Sequence, residues 1–566
     1  MMKRFLSQVS AGVFLTAIAV PGMAWAQAVP STAEPSRVER QIAPLPEGPV
    51  TVEGEAEVTD RGYADAPAGS EKVKFVLKDV TVDGATAYET AHLRSAYKDM
   101  LNEEITLADV YALARRLTVK YRNDGYILTQ VVVPEQTIEG GKIRLRVVEG
   151  FVDKVTIQGD TSGKYKLIEQ YADKIRAEKP LNAKKLERYM LLMRDLAGVS
   201  ARAVLSPSST RGASDVTIII EQKHYDVFAQ VDNRGSQYLG PAQATGGVRL
   251  NNVFGMYEGL DFQVASAPEE WPHREMDYFT IRWNQPVNSE GTQASIGYSL
   301  TSTAPGYTLA PFAVKGLARN INFEVSHPLV RSRSQNVIAH LKFDYVNSER
   351  KDNLGPPFNE DHLRVLRGGG SYQFADRFVG FNTIEVELSK GLNILNASDK
   401  FDARLTRASG DPAFVKGTFN ASRLQRVTNV IDVFVAATGQ KSSNLLLASE
   451  EFGVGGASFG SAYDNSEITG EDGIAGRLEL RANDPVDTFL QKLQVYGFVD
   501  AGMVWDPDNA TLRDRKRALT SSGFGLRSVL NDNFSGTFEL AVPMTRKVAA
   551  ENNKHARLFG SVAAKF

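Results

Sequence analysis

The side chains that could do chemistry in this 566-residue chain are its histidines, serines and carboxylates, since it contains no cysteine. Thiolate ligands, cysteine nucleophiles and disulfides are therefore excluded. The histidines are scattered without metal-ligand spacing: His92, His224, His273, His327, His340, His362 and His555. Neither a nucleophile elbow nor a phosphate-binding loop occurs, and Gly368-Gly369-Gly370 lies in a strand-like context that favours a bend. The sequence predicts a protein that is not an enzyme and has no metal or cofactor.

The regular arrangement of charged groups is an alternation at every second residue between 225 and 566. In 384–389, Ile, Val and Leu alternate with Glu, Glu and Ser, and 293–300 and 474–481 follow the same plan. Such strands have one apolar and one charged face. A soluble sandwich would bury the apolar face, whereas a membrane barrel turns it to lipid and lines a wet lumen with the charged face.

Connection lengths favour the barrel, for which we count about sixteen strands. The short connections are 251–257, 285–291, 375–377, 426–428 and 530–533, and the long ones are 347–361, 390–411, 440–472 and 503–516. Short periplasmic turns alternating with long surface loops are typical of an outer-membrane barrel. Phe566 ends an alternating strand, the usual ending of such barrels, and is expected to be the signal for barrel assembly.

The N-terminal residues predict export from the cytosol. Residues 1–26 resemble a signal peptide, with a basic start, an apolar stretch at 11–20 and the cleavage site Ala24-Trp25-Ala26. Residues 27–72 form a Pro-rich linker in which only Ser36 to Ile42 could make a short helix. No later run approaches about 18 apolar residues, so helical membrane spans are not expected. The absence of cysteine fits an oxidising compartment.

Between linker and barrel, two segments of about 75 residues have an α+β pattern and can each bury a small core. In 73–150 we predict strand 75–82, helix 88–101, a helix from the N-cap Thr106 to Gly125, and strands 127–133 and 142–148. In 151–223 we predict strand 155–158, helices 167–175 and 183–196, and strands 199–205 and 216–221. The two segments share one order of elements.

Several short motifs resemble those of a known family. They are Tyr121–Tyr126, Val131–Pro134, Val147–Gly150, Asp232–Gly235, Phe498–Gly502, Gly523–Arg527 and Leu540–Pro543. With them the chain resembles the outer-membrane transporters of two-partner secretion, which export haemolysins and filamentous adhesins. The resemblance implies two periplasmic POTRA domains (73–150 and 151–223) followed by an all-β transmembrane barrel of about sixteen antiparallel strands (224–566).

The resemblance also implies a mechanism without catalysis. The POTRA domains would capture the cargo while it is unfolded, at exposed sheet edges within 107–133 and 183–222. The cargo would fold into a β-helical protein outside the cell, and this folding would supply the energy. A monomer in outer-membrane lipid is expected, inserted by the barrel-assembly machinery. The balance of 65 basic and 67 acidic residues gives no reason to expect nucleic acid. The alternatives are a barrel-assembly factor of the same superfamily, whose members usually carry three or more POTRA domains, and a porin or receptor.

In the family, one long loop folds into the lumen, and an arginine at its tip binds the aspartate of a Phe-x-Asp motif on the barrel wall. The matching tip residues here are Gly455, Gly456, Gly460, Ser461 and Tyr463. Ser461 stands at the arginine position, whereas the wall motif is retained as Phe498 and Asp500.

The missing tip arginine leaves the Asp500 carboxylate without its family partner. Arg477 and Arg481 lie on the lumen side of the neighbouring predicted strand. Either one of them pairs with Asp500 as a substitute, or the carboxylate is hydrated.

Overall fold

The computed structural model describes residues 30–42, 66–159, 166–267, 274–353, 359–484, 490–508 and 515–566. The predicted signal peptide, most of the Pro-rich linker and His273 lie outside the described residues. Within them, no helix combines the length and the apolar character needed to cross a bilayer.

A short helix, α1 (Pro35–Ile42), lies in the segment where the sequence predicts one, after a 3-10 turn at Ser31–Ala33. Proline suits the first helical position because its missing N–H has no intrahelical acceptor there.

The first α+β unit has a short strand pair beside a three-stranded sheet. Its elements are β1 (Lys74–Val76), β2 (Asp79–Asp83), α2 (Thr90–Arg94), β3 (Glu104–Thr106), α3 (Leu107–Asn123), β4 (Gln130–Val132) and β5 (Lys142–Val148), with 3-10 turns at Ser70–Lys72 and Lys98–Met100. β1 pairs with β3, and the sheet order is β2-β5-β4 with β2 parallel to β5. Buried side chains of α3, of the three-stranded sheet and of the segment from α2 to β3 form one core.

Three predicted elements of this unit are wrong in extent, one of them the expected strand 127–133, which is a strand only in β4 (Gln130–Val132). The expected strand 75–82 is two strands, because the Leu77 N–H still bonds Glu103 beside β3 whereas the Lys78 N–H bonds Gly141 beside β5. The expected helix 88–101 is α-helical only in α2, after which the chain tightens into the turn at Lys98–Met100.

Helix α3 begins and ends as predicted. The Thr106 hydroxyl accepts from the Asp109 N–H, and the Asp109 carboxylate accepts from the Thr106 N–H, a reciprocal capping box. The backbone N–H of Thr106 holds the pKa of Asp109 below its usual range. Gly125 follows the helix with a φ of +100°, in the left-handed region that favours glycine.

The second α+β unit repeats the plan with longer outer strands. It comprises β6 (Phe151–Gly159), α4 (Leu167–Ala177), α5 (Ala183–Arg194), β7 (Val199–Pro207) and β8 (Ala213–Gln222). The sheet order is β6-β8-β7, so β7 is an edge strand. The predicted order of elements is confirmed, and its core packs α4 and α5 against the sheet.

The two units meet where α3 ends and α5 begins. The Ala183 N–H donates to the Gly125 carbonyl at 2.8 Å, and the Asn182 side-chain amide donates to the Asp124 carbonyl at 3.3 Å. A Cβ on Gly125 would lie 2.7 Å from Oδ1 of Asn182, closer than packing allows. These two hydrogen bonds join the two units.

Replacing Gly125 with alanine should therefore weaken the junction by more than the backbone penalty of about 1–2 kcal/mol for a left-handed alanine. The matched control is Gly140→Ala, whose φ is +61° but whose Cβ would meet nothing within 4 Å. Hydrogen exchange of the amides in 181–186 measures the difference. Equal exchange in the two variants would show that the Asn182 contact does not hold the units together.

Residues 225–566 form a closed barrel. In chain order its strands are β9 (Tyr225–Asp232), β10 (Gln243–Asn251), β11 (Gly259–Ala267), β12 (Met276–Pro286), β13 (Gln293–Thr303), β14 (Lys315–Arg331), β15 (Gln335–Lys351), β16 (Asn359–Ala375), β17 (Gly380–Gly391), β18 (Val415–Arg426), β19 (Ile431–Ser442), then the short hairpin strands β20 (Phe452–Val454) and β21 (Ile468–Gly470) inside a connection, and β22 (Asp472–Asn483), β23 (Lys492–Trp505), β24 (Lys516–Val529), β25 (Phe534–Pro543) and β26 (Arg557–Lys565). Sixteen antiparallel strands, all but β20 and β21, close the cylinder from β9 to β26.

The barrel confirms the predicted fold class and the period-two faces. On β22, Ile474, Leu478 and Leu480 are exposed on the outside, whereas Arg477 and Glu479 between them are buried inside. Short and long connections alternate as expected. Closure leaves no strand edge without a hydrogen-bonding neighbour in the hydrocarbon layer.

Helix α1 lies inside this barrel, against the inner faces of β13 and β14. Its Val38 is fully buried, and the Glu39 carboxylate accepts from Ser299 at 3.1 Å and from Asn320 at 3.3 Å. At its start, Arg350 of β15 pairs with Glu34 at 3.3 Å. A segment before both α+β units therefore occupies the barrel interior.

Candidate functional site: the lumen loop and its barrel-wall cluster

The connection between β19 and β22, residues 443–471, folds into the barrel, and we name it the lumen loop. Its strands β20 and β21 form a hairpin that contacts β23 on the inner wall. Beyond the hairpin, 457–464 form the loop tip, in which Ser461, Ala462 and Tyr463 are buried. Ala462 and Tyr463 of the loop tip belong to a hydrophobic cluster with side chains of the inner wall.

Glycines shape the approach to the loop tip. Gly455 has a φ of +125° and Gly456 a φ of +91°, and a Cβ on them would collide with the Asp464 carbonyl and the Asn465 side chain, respectively. Their N–H groups donate to Phe459 and Tyr463, which closes the loop tip on itself. Gly460, with a φ of +98°, precedes Ser461 and turns it towards the wall.

The structure brings Ser461 directly to Asp500. The Ser461 hydroxyl donates to Oδ2 of Asp500 at 3.0 Å, and the Ser461 N–H donates to the same oxygen at 3.2 Å. Ser521 of β24 donates to Oδ1. Asp500 is 1% exposed, so these donors replace the water that a free carboxylate would bind.

The cation beside Asp500 comes from the wall. Arg477 lies directly opposite Asp500 in the β22–β23 register, and its Nη1 is 3.1 Å from Oδ2 of Asp500. The same guanidinium donates to the Ser461 hydroxyl and to the Ala457 carbonyl, and it stacks on the Phe498 ring at 4.2 Å. Arg477 therefore contacts the loop tip and the wall carboxylate together.

Arg481 does not contact Asp500. Its Nη2 lies 2.7 Å from Oε2 of Glu479, and its guanidinium stacks on Phe434 at 4.2 Å. Of the two candidate substitutes, the structure places only Arg477 at Asp500.

Two further carboxylates complete a set of charges, which we name the barrel-wall cluster and in which the three carboxylates and Arg477 are buried: Arg234, Arg477, Arg481, Arg527, Glu479, Asp500 and Glu539. Glu479 binds three of the arginines, and Glu539 binds Arg234 at 2.8 Å and the Tyr496 hydroxyl at 2.7 Å. Buried charges persist when each has partners of opposite sign. Glu539 and the role of Arg234 were not predicted from the sequence, although Arg234 belongs to the motif Asp232–Gly235.

Tyr463 and Phe566 form hydrogen bonds at two other places in the barrel. The Tyr463 hydroxyl donates to the Arg546 carbonyl at 3.1 Å and accepts from the Arg546 N–H at 3.0 Å, which attaches the loop tip to the connection after β25. Phe566 exchanges backbone hydrogen bonds with Val227 at 2.8 and 3.0 Å, and its ring contacts Phe534 edge-on.

The arrangement suits reversible attachment. Hydrogen bonds and ion pairs hold the loop tip in its place, and the described residues contain no disulfide that would fix it permanently. A polar lumen lets water replace each partner when the loop tip leaves. The site can therefore keep a passage closed and release it.

Comparisons with known proteins agree with this architecture. Residues 75–150 match the family model described as POTRA domain, ShlB-type. Residues 212–528 match the model described as haemolysin secretion/activation protein ShlB/FhaC/HecB.

Among individual relatives, the heme/hemopexin transporter protein HuxB of Haemophilus influenzae (strain ATCC 51907 / DSM 11121 / KW20 / Rd) is 24% identical over 53% of this chain and 55% of its own length. The chain spans about half the length of the first two such relatives that it matches. The outer membrane transporter CdiB of Escherichia coli O6:K15:H31 is 23% identical over 87% of this chain and 83% of its own. The structure of CdiB from Escherichia coli superimposes with a TM-score of 0.75 at 19% identity, over 91% of this chain and 95% of that one, which shows the same fold.

Proposed function

Because the chain belongs to the haemolysin secretion/activation family of outer-membrane proteins, we propose that it exports a partner polypeptide from the periplasm to the cell surface by two-partner secretion. The protein resides in the bacterial outer membrane with its N-terminal units in the periplasm. The observation that carries the proposal is a closed barrel whose interior holds two non-covalently attached segments, α1 and the lumen loop. Because α1 and the lumen loop are held only by non-covalent contacts, they can leave the lumen when a cargo crosses and close it at other times.

The lumen beside α1 supports a hydrated route. A cavity of about 360 Å³ lies between the helix and the wall, and charged side chains of both signs line it, among them Glu39, Lys342, Arg367 and Lys416. An unfolded chain exposes backbone and polar groups that such a surface can hydrate. Removal of α1 would join this cavity to the space that the helix now fills.

For cargo capture, the two α+β units offer unequal sheet edges. We interpret 73–150 and 151–223 as two POTRA domains that add a cargo segment as a strand. The edge strand β4 is three residues long, and the Thr118 hydroxyl already accepts from its Val131 N–H at 2.9 Å. Strand β7 is nine residues long, and among the described residues the outer edge of its 200–207 part has no backbone partner, whereas the Val199 N–H bonds to the Leu196 carbonyl. We assign capture to β7.

The function is tested by deleting the gene and comparing secreted and surface proteins with the parent strain. Export predicts the loss of one large secreted or surface protein while other outer-membrane proteins keep their levels. A general decrease of outer-membrane barrels would favour the assembly-factor alternative, and unchanged protein profiles with altered small-solute uptake would favour a porin.

Capture at β7 predicts that Leu205→Pro lowers secretion of that same protein, since the register turns the Leu205 N–H to the outer edge, where proline removes the donor and obstructs a partner strand. Leu205 is 38% exposed and does not belong to the core of this unit, so its side chain is not needed there. Thr118→Val is the comparison at β4 and should leave secretion unchanged. The reverse order of effects would move capture to the first unit.

We also propose that the barrel-assembly machinery inserts the protein, with Phe566 as the signal that it recognises. The barrel would then be a monomer in the lipid of the outer membrane.

A further inference from the structure

The barrel closes between β9 and β26, and this pairing, which we name the seam, is short. Five residues of β26, Ser561–Lys565, pair with Phe228–Asp232. The strand pairs on either side of the seam, β9 with β10 and β25 with β26, have eight paired residues each. Backbone hydrogen bonds flank these five pairs, between Val227 and Phe566 at one end and from the Asn233 N–H to the Gly560 carbonyl at the other, so only the regular ladder of the seam is shorter than those beside it.

One side chain extends the seam beyond its last regular pair. The Asn233 amide donates to the Leu558 carbonyl at 2.9 Å, and its Oδ1 accepts from the Gly560 N–H at 2.7 Å. The next residue, Arg234, turns inwards and reaches the loop tip, where its Nη1 donates to the Ser461 carbonyl at 3.3 Å.

The opposite side of the seam reaches the loop tip in the same way. Arg557, the first residue of β26, donates from Nη1 to the Ala462 carbonyl at 3.1 Å. The Phe559 ring lies between the two guanidinium groups, 4.1 Å from that of Arg234 and 5.1 Å from that of Arg557. Two adjacent carbonyls of one loop thus bind one arginine from each end of the barrel wall.

We propose that the loop tip holds the seam closed from the inside, with Arg234 and Arg557 as positioning residues on its two sides. While the loop tip is in place, separating β9 from β26 requires breaking a charged hydrogen bond to Ser461 or to Ala462. When the loop tip leaves, both bonds are lost at once, and the seam keeps its backbone bonds from Val227 to Asn233, the Asn233 side chain and the Arg234–Glu539 pair. Displacement of the lumen loop would therefore loosen the barrel wall as well as open the passage.

The ion pairs around these arginines favour this role. Arg234 pairs with Glu539 and Arg557 with Asp464, both at 2.8 Å, and both carboxylates are at most 3% exposed. Charges at this depth are screened less than surface pairs. Asp464 itself belongs to the loop tip, so Arg557 binds the loop tip through a carbonyl and a carboxylate.

Hydrogen exchange of the full-length protein in lipid nanodiscs tests the proposal. In Arg234→Gln/Arg557→Gln, amides in 225–233 and 557–566 should exchange faster by about tenfold or more, as expected when hydrogen bonds from charged donors are lost. Amides of the β14–β15 hairpin should not change. Arg234→Lys/Arg557→Lys keeps both charges and should show a smaller increase, which also serves if the glutamine variant does not fold.

A second variant separates the loop from the arginines. Replacing 457–464 with a shorter Gly-Ser linker withdraws the loop tip from both arginines, and it should raise seam exchange, by less than the glutamine variant because the Arg234–Glu539 pair remains. If exchange rises in the arginine variants only, or in the loop variant only, the loop tip does not act on the seam through these residues. Because the chain lacks cysteine, a single disulfide between Val231→Cys and Val562→Cys, which are register partners, should abolish the increase. An unchanged seam in all variants would overturn the proposal.

Discussion

Replacing Arg477 with alanine is expected to detach the lumen loop and to lower the free energy of unfolding of the barrel by about 3–5 kcal/mol, the usual cost of leaving a buried charge without its partner. Asp500 is 1% exposed and would keep only the hydroxyl and N–H donors of Ser461 and Ser521. The loop tip would also lose the bond from Arg477 to the Ala457 carbonyl. Urea unfolding in detergent, followed by electrophoretic mobility, measures the stability, and limited proteolysis of 443–471 measures detachment.

The matched control is Arg481→Ala, on the same face of the same strand. Glu479 would keep Arg477 and Arg527 as partners, so the expected loss is smaller, about 1 kcal/mol. Adding Ser461→Arg to Arg477→Ala should restore much of the stability, because it returns a cation to Asp500 from the loop. Equal losses in the two single variants would show that Asp500 does not depend on Arg477.

A pairing of Asp500 with Arg477 or Arg481 was one of two expectations from the sequence, because it needs only a period of two and adjacent strands, but the choice between the two arginines needed the register. Side chains at matching positions of neighbouring strands share a face, and the register places Arg477 and Asp500 opposite each other. The direct bond from Ser461 to Asp500 could not be predicted this way, since it depends on the path of a loop 29 residues long from 443 to 471. The Glu539–Arg234 pair was not predicted either, because 305 residues separate the two side chains in the chain and only the closure of the barrel brings them together.

Local signals gave the ends of α3 but not the extent of its neighbours. The capping box at Thr106 and the glycine at 125 are interactions within a few residues. The break between β1 and β2 is set instead by a change of hydrogen-bond partner from Glu103 to Gly141, which tertiary packing decides. The same holds for α1, whose existence its sequence indicates but whose place inside the barrel rests on side chains of β13, β14 and β15.

Removing α1 by deleting residues 30–42 should open the lumen to ions. The helix and its contacts to Ser299, Asn320 and Arg350 now fill the side of the lumen next to the polar cavity. Without them that space would fill with water, because charged and polar groups line it. We expect a several-fold increase of single-channel conductance in planar bilayers and a raised uptake of small antibiotics by cells.

The control for this deletion is Arg37→Ala, which removes one attachment and keeps the helix. Arg37 pairs with Glu451 at the base of the lumen loop, and Glu451 also pairs with Arg407, so the loop should stay in place and openings should become more frequent rather than larger. Combining the deletion with Arg477→Ala removes both segments and should exceed the sum of the single effects, since either segment alone still obstructs the lumen. A deletion variant that conducts like the unaltered protein would mean that the lumen loop alone closes the passage.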